Sequence, residues 1–405
     1  MGRYTMKRTV KAVISLLLCA ALAVGTVAFA AADDGLTTDA LHFGSDGHFK
    51  ILHVTDTHLN ADNAANSTRL IAMACDAEQP DLVMLTGDIA PEGTYEKTGE
   101  RVDQLMQVFE TRQIPVAVAF GNHDSENGAY TREEAMALYN AYACSIAIDD
   151  GDRLTGCGTY RIPLCASDGN ELRFNLWVFD SGDYDGEGHY ANVAEDQVEW
   201  YREQSATIER EAGKKINSLV FQHIIVPEIY DALEEVDRKT AFSYEHLYEK
   251  GRYFRFSGSN TNYGMLNEFP CPGYYNHGQF DAMVERGDVL AMFTGHDHTN
   301  AFGVKYKGID IVNSLSTRYN GDTSSTRYGY RVIELDEAAP DRYETRVVRW
   351  YDFVNESAVK ALARDEADRT LLAEIRFRGF FRKFLTDFCA FFVQAATGRR
   401  VRYPD

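Results

Sequence analysis

The stretch from Val116 to Asp124 reads Val-Ala-Val-Ala-Phe-Gly-Asn-His-Asp, and it is the most informative segment for the fold. Its apolar part is typical of a short buried strand, and the glycine that follows begins an abrupt polar cluster. Four other short apolar runs end in the same way: Phe49–Val54 before Thr55-Asp56-Thr57-His58, Leu82–Leu85 before Thr86-Gly87-Asp88, Leu219–Phe221 before Gln222-His223, and Val289–Phe293 before Thr294-Gly295-His296-Asp297-His298. The chain therefore predicts several strands with polar groups at their carboxyl ends.

Helical periodicity fills the gaps between these strands. Apolar residues recur at helical spacing near residues 66–78, 99–112, 131–142, 195–211 and 278–286. Alternation of strands and helices predicts an α/β fold whose functional groups meet at the strand ends. Residues 155–180 and 303–350 are rich in strand-forming residues, which predicts a second sheet packed on the first.

Composition and charge exclude several classes of protein. The 405 residues are 45% hydrophobic and 25% charged, which is ordinary for a globular chain and excludes general disorder. Lysine and arginine number 41 against 61 aspartate and glutamate, so the formal net charge is -20. Because phosphate backbones attract basic surfaces, we expect no nucleic-acid partner.

Residues 1–30 predict an export signal. Basic residues at positions 3, 7, 8 and 11 precede an apolar stretch, and Ala28-Phe29-Ala30 has the small-x-small pattern of a cleavage site. An uncleaved membrane anchor is the alternative, because about 20 apolar residues can span a bilayer. We therefore expect an exported protein, in an extracellular, periplasmic or cell-surface location. Export permits disulfides, and Cys157 with Cys165 is the favoured local pair.

The tail of the chain differs from the body. Its apolar residues between Leu371 and Phe392 recur at spacings of three and four, which predicts a C-terminal amphipathic helix. From residue 369 onward, eight basic residues stand against three acidic ones. Such a helix could dock its apolar stripe on the body, or it could make peripheral contact with a membrane, a cell-wall polymer or another partner.

The strand ends together supply residue types that bind transition metals. Two divalent ions about 3.5–4 Å apart can clamp a phosphate, and the pair needs a bridging carboxylate, further oxygen ligands and neutral imidazoles. Mixed oxygen and nitrogen donors suit Fe, Mn, Zn or Co better than Ca or Mg. The candidate ligands are Asp56, His58, Asp88, Asn122, His223, His296 and His298.

The five motifs, Asp-x-His, Gly-Asp, Gly-Asn-His-Asp, a lone His and Gly-His-x-His, resemble those of the calcineurin-like metallophosphoesterase superfamily. The resemblance covers residues 45–340 and leaves 341–405 as a strand and helical extension. It implies a four-layer αββα sandwich of two mixed β-sheets flanked by helices. It also implies two metal sites that share Asp88: one is formed with Asp56, His58 and His298, and the other with Asn122, His223 and His296.

The same resemblance implies roles for the neighbouring residues. His123 would contact the phosphate and protonate the leaving oxygen, and Asp124 would orient its ring. A hydroxide that bridges two divalent or trivalent ions (Fe, Mn or Zn) would attack phosphorus. Arg69 and Arg318 could meet substrate oxygens through bidentate hydrogen bonds, or could lie on the solvated surface.

Phe179-Asp180-Ser181-Gly182 and the segment Phe221–Glu228 narrow the resemblance to the small single-domain branch of purple-acid-phosphatase-like proteins. That branch implies an exported phosphomonoesterase that acts on a small phosphorylated substrate. A phosphodiesterase and a non-catalytic cell-surface binding protein on the same scaffold are the alternatives. Purple enzymes have a metal-binding tyrosine three residues after the bridging Asp, but Pro91 occupies that position here, so no ferric-tyrosinate site is expected.

Overall fold

A computed structural model describes residues 36–397 apart from 127, 149–152, 258–261, 322–325 and 357–358. The predicted export signal lies outside the described residues. Within the described part of the chain, no helix has both the length and the apolar character that crossing a membrane requires.

The described chain contains 16 strands and nine helices. The strands are β1 (Leu41–His42), β2 (His48–Val54), β3 (Leu82–Thr86), β4 (Val116–Ala119), β5 (Tyr160–Cys165), β6 (Leu172–Val178), β7 (Ser218–Phe221), β8 (Glu234–Val236), β9 (Tyr244–Glu245), β10 (Tyr253–Arg255), β11 (Asn262–Met265), β12 (Val289–Thr294), β13 (Ala301–Tyr306), β14 (Ile309–Asn313), β15 (Gly329–Asp336) and β16 (Glu344–Arg349). The helices are α1 (Ala64–Glu78), α2 (Tyr95–Glu110), α3 (Arg132–Asn140), α4 (Glu195–Ala212), α5 (Ile229–Ala232), α6 (Gln279–Arg286), α7 (Trp350–Asn355), α8 (Val359–Leu362) and α9 (Glu366–Thr397).

Two mixed sheets carry the fold. The smaller has five strands in the order β16-β15-β2-β3-β4, in which β2, β3 and β4 are parallel and β15 runs antiparallel to β2. The larger has eight strands in the order β1-β5-β6-β7-β12-β14-β13-β11, with β6, β7, β12 and β14 parallel. Strands β3, β4 and β7 are buried along their whole length, which explains their continuous apolar sequences.

The two sheets pack face to face and helices cover the outside. The ring of His53 on β2 meets Phe221 on β7 and Phe293 on β12 edge to face, with centroids 5.8 and 6.2 Å apart. Buried residues of α1 and α2 share one apolar cluster with the smaller sheet, and those of α4 and α6 share another with the larger. The predicted arrangement of two mixed sheets flanked by helices is confirmed. A small sheet, in the order β8-β10-β9, was not predicted from the sequence.

The C-terminal helix is only partly docked on the body. Leu371, Leu372 and Ile375 are buried, and the guanidinium of Arg69 on α1 bonds to Asp365 and Asp368 at the start of the helix. The charge of Arg69 is therefore used to hold α9, which does not support the alternative in which this residue binds substrate.

The predicted disulfide between Cys157 and Cys165 is also wrong. Cys165 has a free thiol whose sulfur lies 3.6 Å from the backbone oxygen of Asn170. Both cysteines are buried in the apolar interior, where a thiol packs as a small apolar group.

Candidate metal centre

The carboxyl ends of five strands bring the candidate ligands together. Asp56 and His58 follow β2, Asp88 follows β3, and Asn122 follows β4, while His223 follows β7 on the opposing sheet. His296 and His298 follow β12. Since both sheets contribute parallel strands that end at the same edge, the ligands meet across the interface between the sheets.

One group of ligand atoms joins Asp56, His58, Asp88 and His298, all within 4.8 Å of one another. The Nε2 atoms of His58 and His298 are 3.0 Å apart, and that of His298 lies 3.4 Å from Oδ1 of Asp56. Nε2 of His58 lies 3.7 Å from Oδ2 of Asp88. This group has the composition of the first predicted metal site.

A second group joins Asp88, His223 and His296 within the same limit. Nε2 of His223 lies 3.3 Å from Oδ2 of Asp88 and 3.2 Å from Oδ1 of Asn122. Asp88 is common to both groups and is therefore the residue in position to bridge two ions. The imidazole Nδ1 of His223 is 2.7 Å from the backbone oxygen of Thr86, which makes Nδ1 the donor and leaves Nε2 to bind metal.

The backbone is strained where it presents these ligands. Positive φ angles are uncommon for residues other than glycine, yet Asp56 (51°), His58 (41°), Asp88 (54°) and His296 (71°) all have them. Each such residue costs on the order of 1–3 kcal/mol and persists where the surroundings hold it, typically at functional sites. Strain at four candidate ligands indicates a functional site in which the backbone conformation orients these side chains toward one pocket.

Glycines allow the polar clusters to approach each other closely. A Cβ atom on Gly121 would lie 2.3 Å from Oδ1 of Asp88, and one on Gly295 would lie 2.4 Å from Oδ2 of Asp56. Either contact is far inside the van der Waals limit, so any larger residue would displace a candidate ligand. The glycines that precede the polar clusters are thus required by the close packing of the site.

Three ligand atoms are buried without a hydrogen-bond partner in the described part of the chain: Oδ1 of Asp56, Oδ2 of Asp88 and Nε2 of His296. The other carboxylate oxygens are satisfied, because Oδ2 of Asp56 accepts from the backbone N–H of His296 at 2.9 Å and Oδ1 of Asp88 accepts from that of His123 at 2.8 Å. Buried polar atoms are normally paired. Unpaired atoms of ligand type that face one another fit a pair of bound metal ions.

The electrostatics of the pocket also suit cations. Burial opposes ionisation of Asp56 and Asp88, but the nearby positive charge of His223 outweighs it, and both carboxyl pKa values lie below their usual range. Burial lowers the pKa of His58 to about 4 and that of His296 to about 3. Ionised carboxylates and neutral imidazoles are the forms that bind transition metals, so His223, whose pKa Asp88 and Asp56 raise against the opposing effect of burial, must lose a proton when a metal binds.

His123 lies at the open side of the pocket, with its Nε2 atom 4.0 Å from Oδ2 of Asp88. Its Nδ1 atom is 2.5 Å from the carboxylate of Glu126. Asp124 does not orient this ring as predicted, because its carboxylate accepts from the backbone N–H groups of Asp88, Ile89 and Gly121 at 2.8–2.9 Å. Asp124 therefore braces the two ligand loops, and Glu126 is the partner of His123.

Arg318 lies at the same pocket. Burial is the main cause of the lowered pKa of His58, and the positive charge of Arg318 acts in the same direction. Its guanidinium stacks on Tyr328, 5.1 Å from the ring centroid, and its buried Nε atom has no hydrogen-bond partner among the described residues. Of the two arginines singled out in the sequence, Arg318 is the one near the candidate ligands.

A family model described as calcineurin-like phosphoesterase matches residues 49–300. The chain belongs to this family. The match spans the interval from Asp56 to His298 that holds all the candidate ligands, and membership implies a dimetal centre.

The curated proteins that this chain resembles include plant and yeast proteins. "Probable inactive purple acid phosphatase 14" of Arabidopsis thaliana is 27% identical over 319 residues, covering 69% of this chain and 73% of that protein. "Probable inactive purple acid phosphatase 29" of the same plant is 26% identical over 307 residues, covering 67% and 72%. Among solved structures, a dimetal phosphatase from Danio rerio is 14% identical, with coverage of 75% of this chain and 96% of that chain and a TM-score of 0.49.

Two tyrosines that contact the candidate metal ligands were not identified from the sequence. The hydroxyl of Tyr184 accepts from Nδ2 of Asn122 at 2.9 Å, which turns Oδ1 of Asn122 toward His223. Tyr190 meets the ring of His296 edge to face, with centroids 4.3 Å apart, and stacks on Tyr184. Both lie in an irregular loop segment between β6 and α4, without the strand-end pattern that identified the other residues.

Proposed function

We propose that the protein is an exported phosphatase that hydrolyses small phosphate monoesters at a dinuclear metal centre. The observation that carries the proposal is the complete donor set, in which unpaired atoms of Asp56, Asp88 and His296 face a common space. Fe, Mn or Zn fits these donors, because they mix carboxylate, amide and imidazole groups.

When bound, two such ions would supply an activated water and positive charge for the phosphate oxygens. Asp56, His58, Asp88 and His298 would hold one ion, and Asp88, Asn122, His223 and His296 the other. His123 would donate a proton from Nε2 to the leaving oxygen, while the carboxylate of Glu126 fixes Nδ1. Arg318 would bind a phosphate oxygen through its unpaired Nε group.

A non-catalytic binding protein is the second candidate, favoured by the word "inactive" in the names of the plant relatives. The full ligand set and the presence of His123 favour catalysis in this chain. A phosphodiesterase would use the same groups, so substrate tests must separate the two classes of ester.

The test is hydrolysis of a panel of phosphomonoesters and phosphodiesters by the purified protein, with bound metal measured on the same sample. We expect monoesters to be hydrolysed faster than diesters, and we expect addition of a chelator to abolish both reactions. Full metal loading without hydrolysis of any ester would support the binding protein, and preferential diester hydrolysis would overturn the monoesterase assignment. Export is tested separately by the N-terminal sequence of the protein recovered outside the cytoplasm.

A further inference from the structure

Helix α9 has two apolar faces, and only one of them is docked. Leu371, Leu372, Ile375 and Gly379 lie on the side that contacts the body, and a Cβ on Gly379 would lie 2.0 Å from the Tyr351 ring. At 3.6 residues per turn, these four positions point in a mean direction about 160° around the helix axis from that of positions 377, 381, 384 and 388. The second face therefore points away from the body.

The outward face is large and aromatic. We call it the aromatic stripe, and it consists of Phe377, Phe380, Phe381, Phe384, Leu385 and Phe388, each at least 50% exposed. Neighbouring rings contact one another along the helix, as in the pair Phe384 and Phe388, whose centroids are 6.0 Å apart. A contiguous exposed apolar patch of this kind marks an interaction surface.

Basic residues flank the aromatic stripe. Arg378 lies on one edge and Lys383 on the other, and both are exposed. Between positions 374 and 388 the sequence has four basic and two acidic residues, within an acidic protein, and the acidic Glu374 pairs with Arg378 at 3.0 Å. A helix with Phe and Leu on one face and basic residues beside them is typical of a segment that lies in the surface of an anionic bilayer.

We propose that α9 attaches the protein peripherally to an anionic lipid bilayer, with the aromatic stripe inserted among the lipid headgroups. Charge favours this occupant over a second copy of the chain, because pairing two stripes would bring the basic edges of both helices together. The docked half of α9 would hold the catalytic body beside the membrane surface.

The test uses vesicle co-sedimentation of the chain from residue 31 onward, which retains every residue that the structure describes. Vesicles are made of phosphatidylcholine alone or of phosphatidylcholine with phosphatidylglycerol at about 3:1. We expect binding to the anionic vesicles at least about tenfold tighter than to the neutral ones, and weaker binding in high salt.

Two variants separate the contributions that the aromatic stripe and the basic residues make to vesicle binding. Replacing Phe380, Phe381, Phe384 and Phe388 with Gln should lower anionic-vesicle binding about tenfold or more, and R378Q with K383Q should lower it several-fold. Matched controls away from α9 are the exposed pairs F242Q with F269Q and K239Q with K250Q, which should bind like the wild type.

Several outcomes would overturn the proposal. Wild-type protein that binds neither kind of vesicle, or a stripe variant that binds as well as wild type, would exclude bilayer attachment. Loss of binding in the charge variant alone would mean that attraction to anionic headgroups, without insertion of the aromatic stripe, holds the chain. A vesicle-free wild-type dimer that the stripe variant converts to a monomer would identify a second copy as the occupant. Circular dichroism and thermal midpoints confirm that each variant is folded.

Discussion

At the residue scale, the carboxylate of Asp88 connects the two candidate metal sites. It is buried, its Oδ2 atom is unpaired among the described residues, and it belongs to both groups of ligand atoms. The variant D88N keeps the shape and loses the charge that bridging requires. We expect its metal content to fall from two ions per chain to one or none, as measured by atomic emission. As a control, D62N changes an exposed aspartate in the loop after Asp56 and His58, and this variant should keep both ions.

His123 and Glu126 form a pair whose chemistry can be separated from metal binding. Removing the general acid in H123A should lower kcat by about 10²–10⁴-fold while the metal content is kept. H48A, at an exposed position on β2, should have the turnover of the wild type. Unchanged turnover in H123A would remove its proposed role.

We expect substitution of Glu126 to lower kcat and substitution of Asp124 to lower stability. E126Q removes the charged partner of Nδ1 of His123, and we expect kcat to fall about tenfold with the thermal midpoint unchanged. D124N should lower the unfolding free energy by about 1–3 kcal/mol, because an amide cannot accept all three backbone N–H groups that the carboxylate accepts. If D124N alone changed kcat and stability were intact, Asp124 would be the orienting group after all.

The sequence predicts residue types and spacing but not side-chain partners. Of the seven candidate ligands that the motifs predict, the structure places six in two groups of close ligand atoms, and Asn122 contacts His223. It could not show that Asp124 faces backbone N–H groups, because that depends on how the loops after β3 and β4 fold against each other. Tyr184 and Tyr190 were missed for the same reason.

At the element scale, α9 offers a direct comparison of its two faces. I375A removes a fully buried side chain, and we expect the unfolding free energy to fall by about 2–4 kcal/mol. F384A removes a side chain that is 54% exposed and should change it by about 0.5 kcal/mol or less. Equal losses in urea denaturation of the two variants would mean that the aromatic stripe also packs on the body.

The strands and helices of the core were predicted well because they have clear periodicity and end at glycine or polar clusters. The predicted strand at Phe49–Val54 is found at His48–Val54, and the predicted helix at 195–211 is found at Glu195–Ala212. The sheet of β8, β9 and β10 was missed, since its strands have two or three residues and no apolar alternation that could be recognised. The sequence also did not separate the two faces of α9, because its apolar residues appear as one continuous helical pattern.

At the scale of the whole molecule, metal binding should couple to stability. The metal-free protein loses the stabilisation that metal binding supplies, about 4 kcal/mol at a thousandfold excess over Kd. We expect chelation to lower the thermal midpoint by roughly 5 °C in scanning calorimetry. Readdition of Mn²⁺ or Zn²⁺ should restore the midpoint, and an unchanged midpoint on chelation would argue against a filled buried site.

The metal-free protein should also have its own dependence on pH. Burial opposes protonation of His223, but the charges of Asp88 and Asp56 outweigh it and raise the pKa of this imidazole to about 10. A raised histidine pKa stabilises the fold below its ordinary value of 6.5, and this contribution is lost as pH rises toward 10. The chelated protein should therefore lose stability across that interval in urea titrations. The metal-loaded protein, in which His223 is held neutral, should lose much less.

The central claim is that two metal ions in this pocket catalyse ester hydrolysis, and metal titration of the apoprotein tests it most directly. Turnover of a phosphomonoester is measured against the number of ions bound per chain. We expect activity that rises to a plateau at two ions per chain. Two bound ions with no hydrolysis, or full activity with one ion or none, would contradict it.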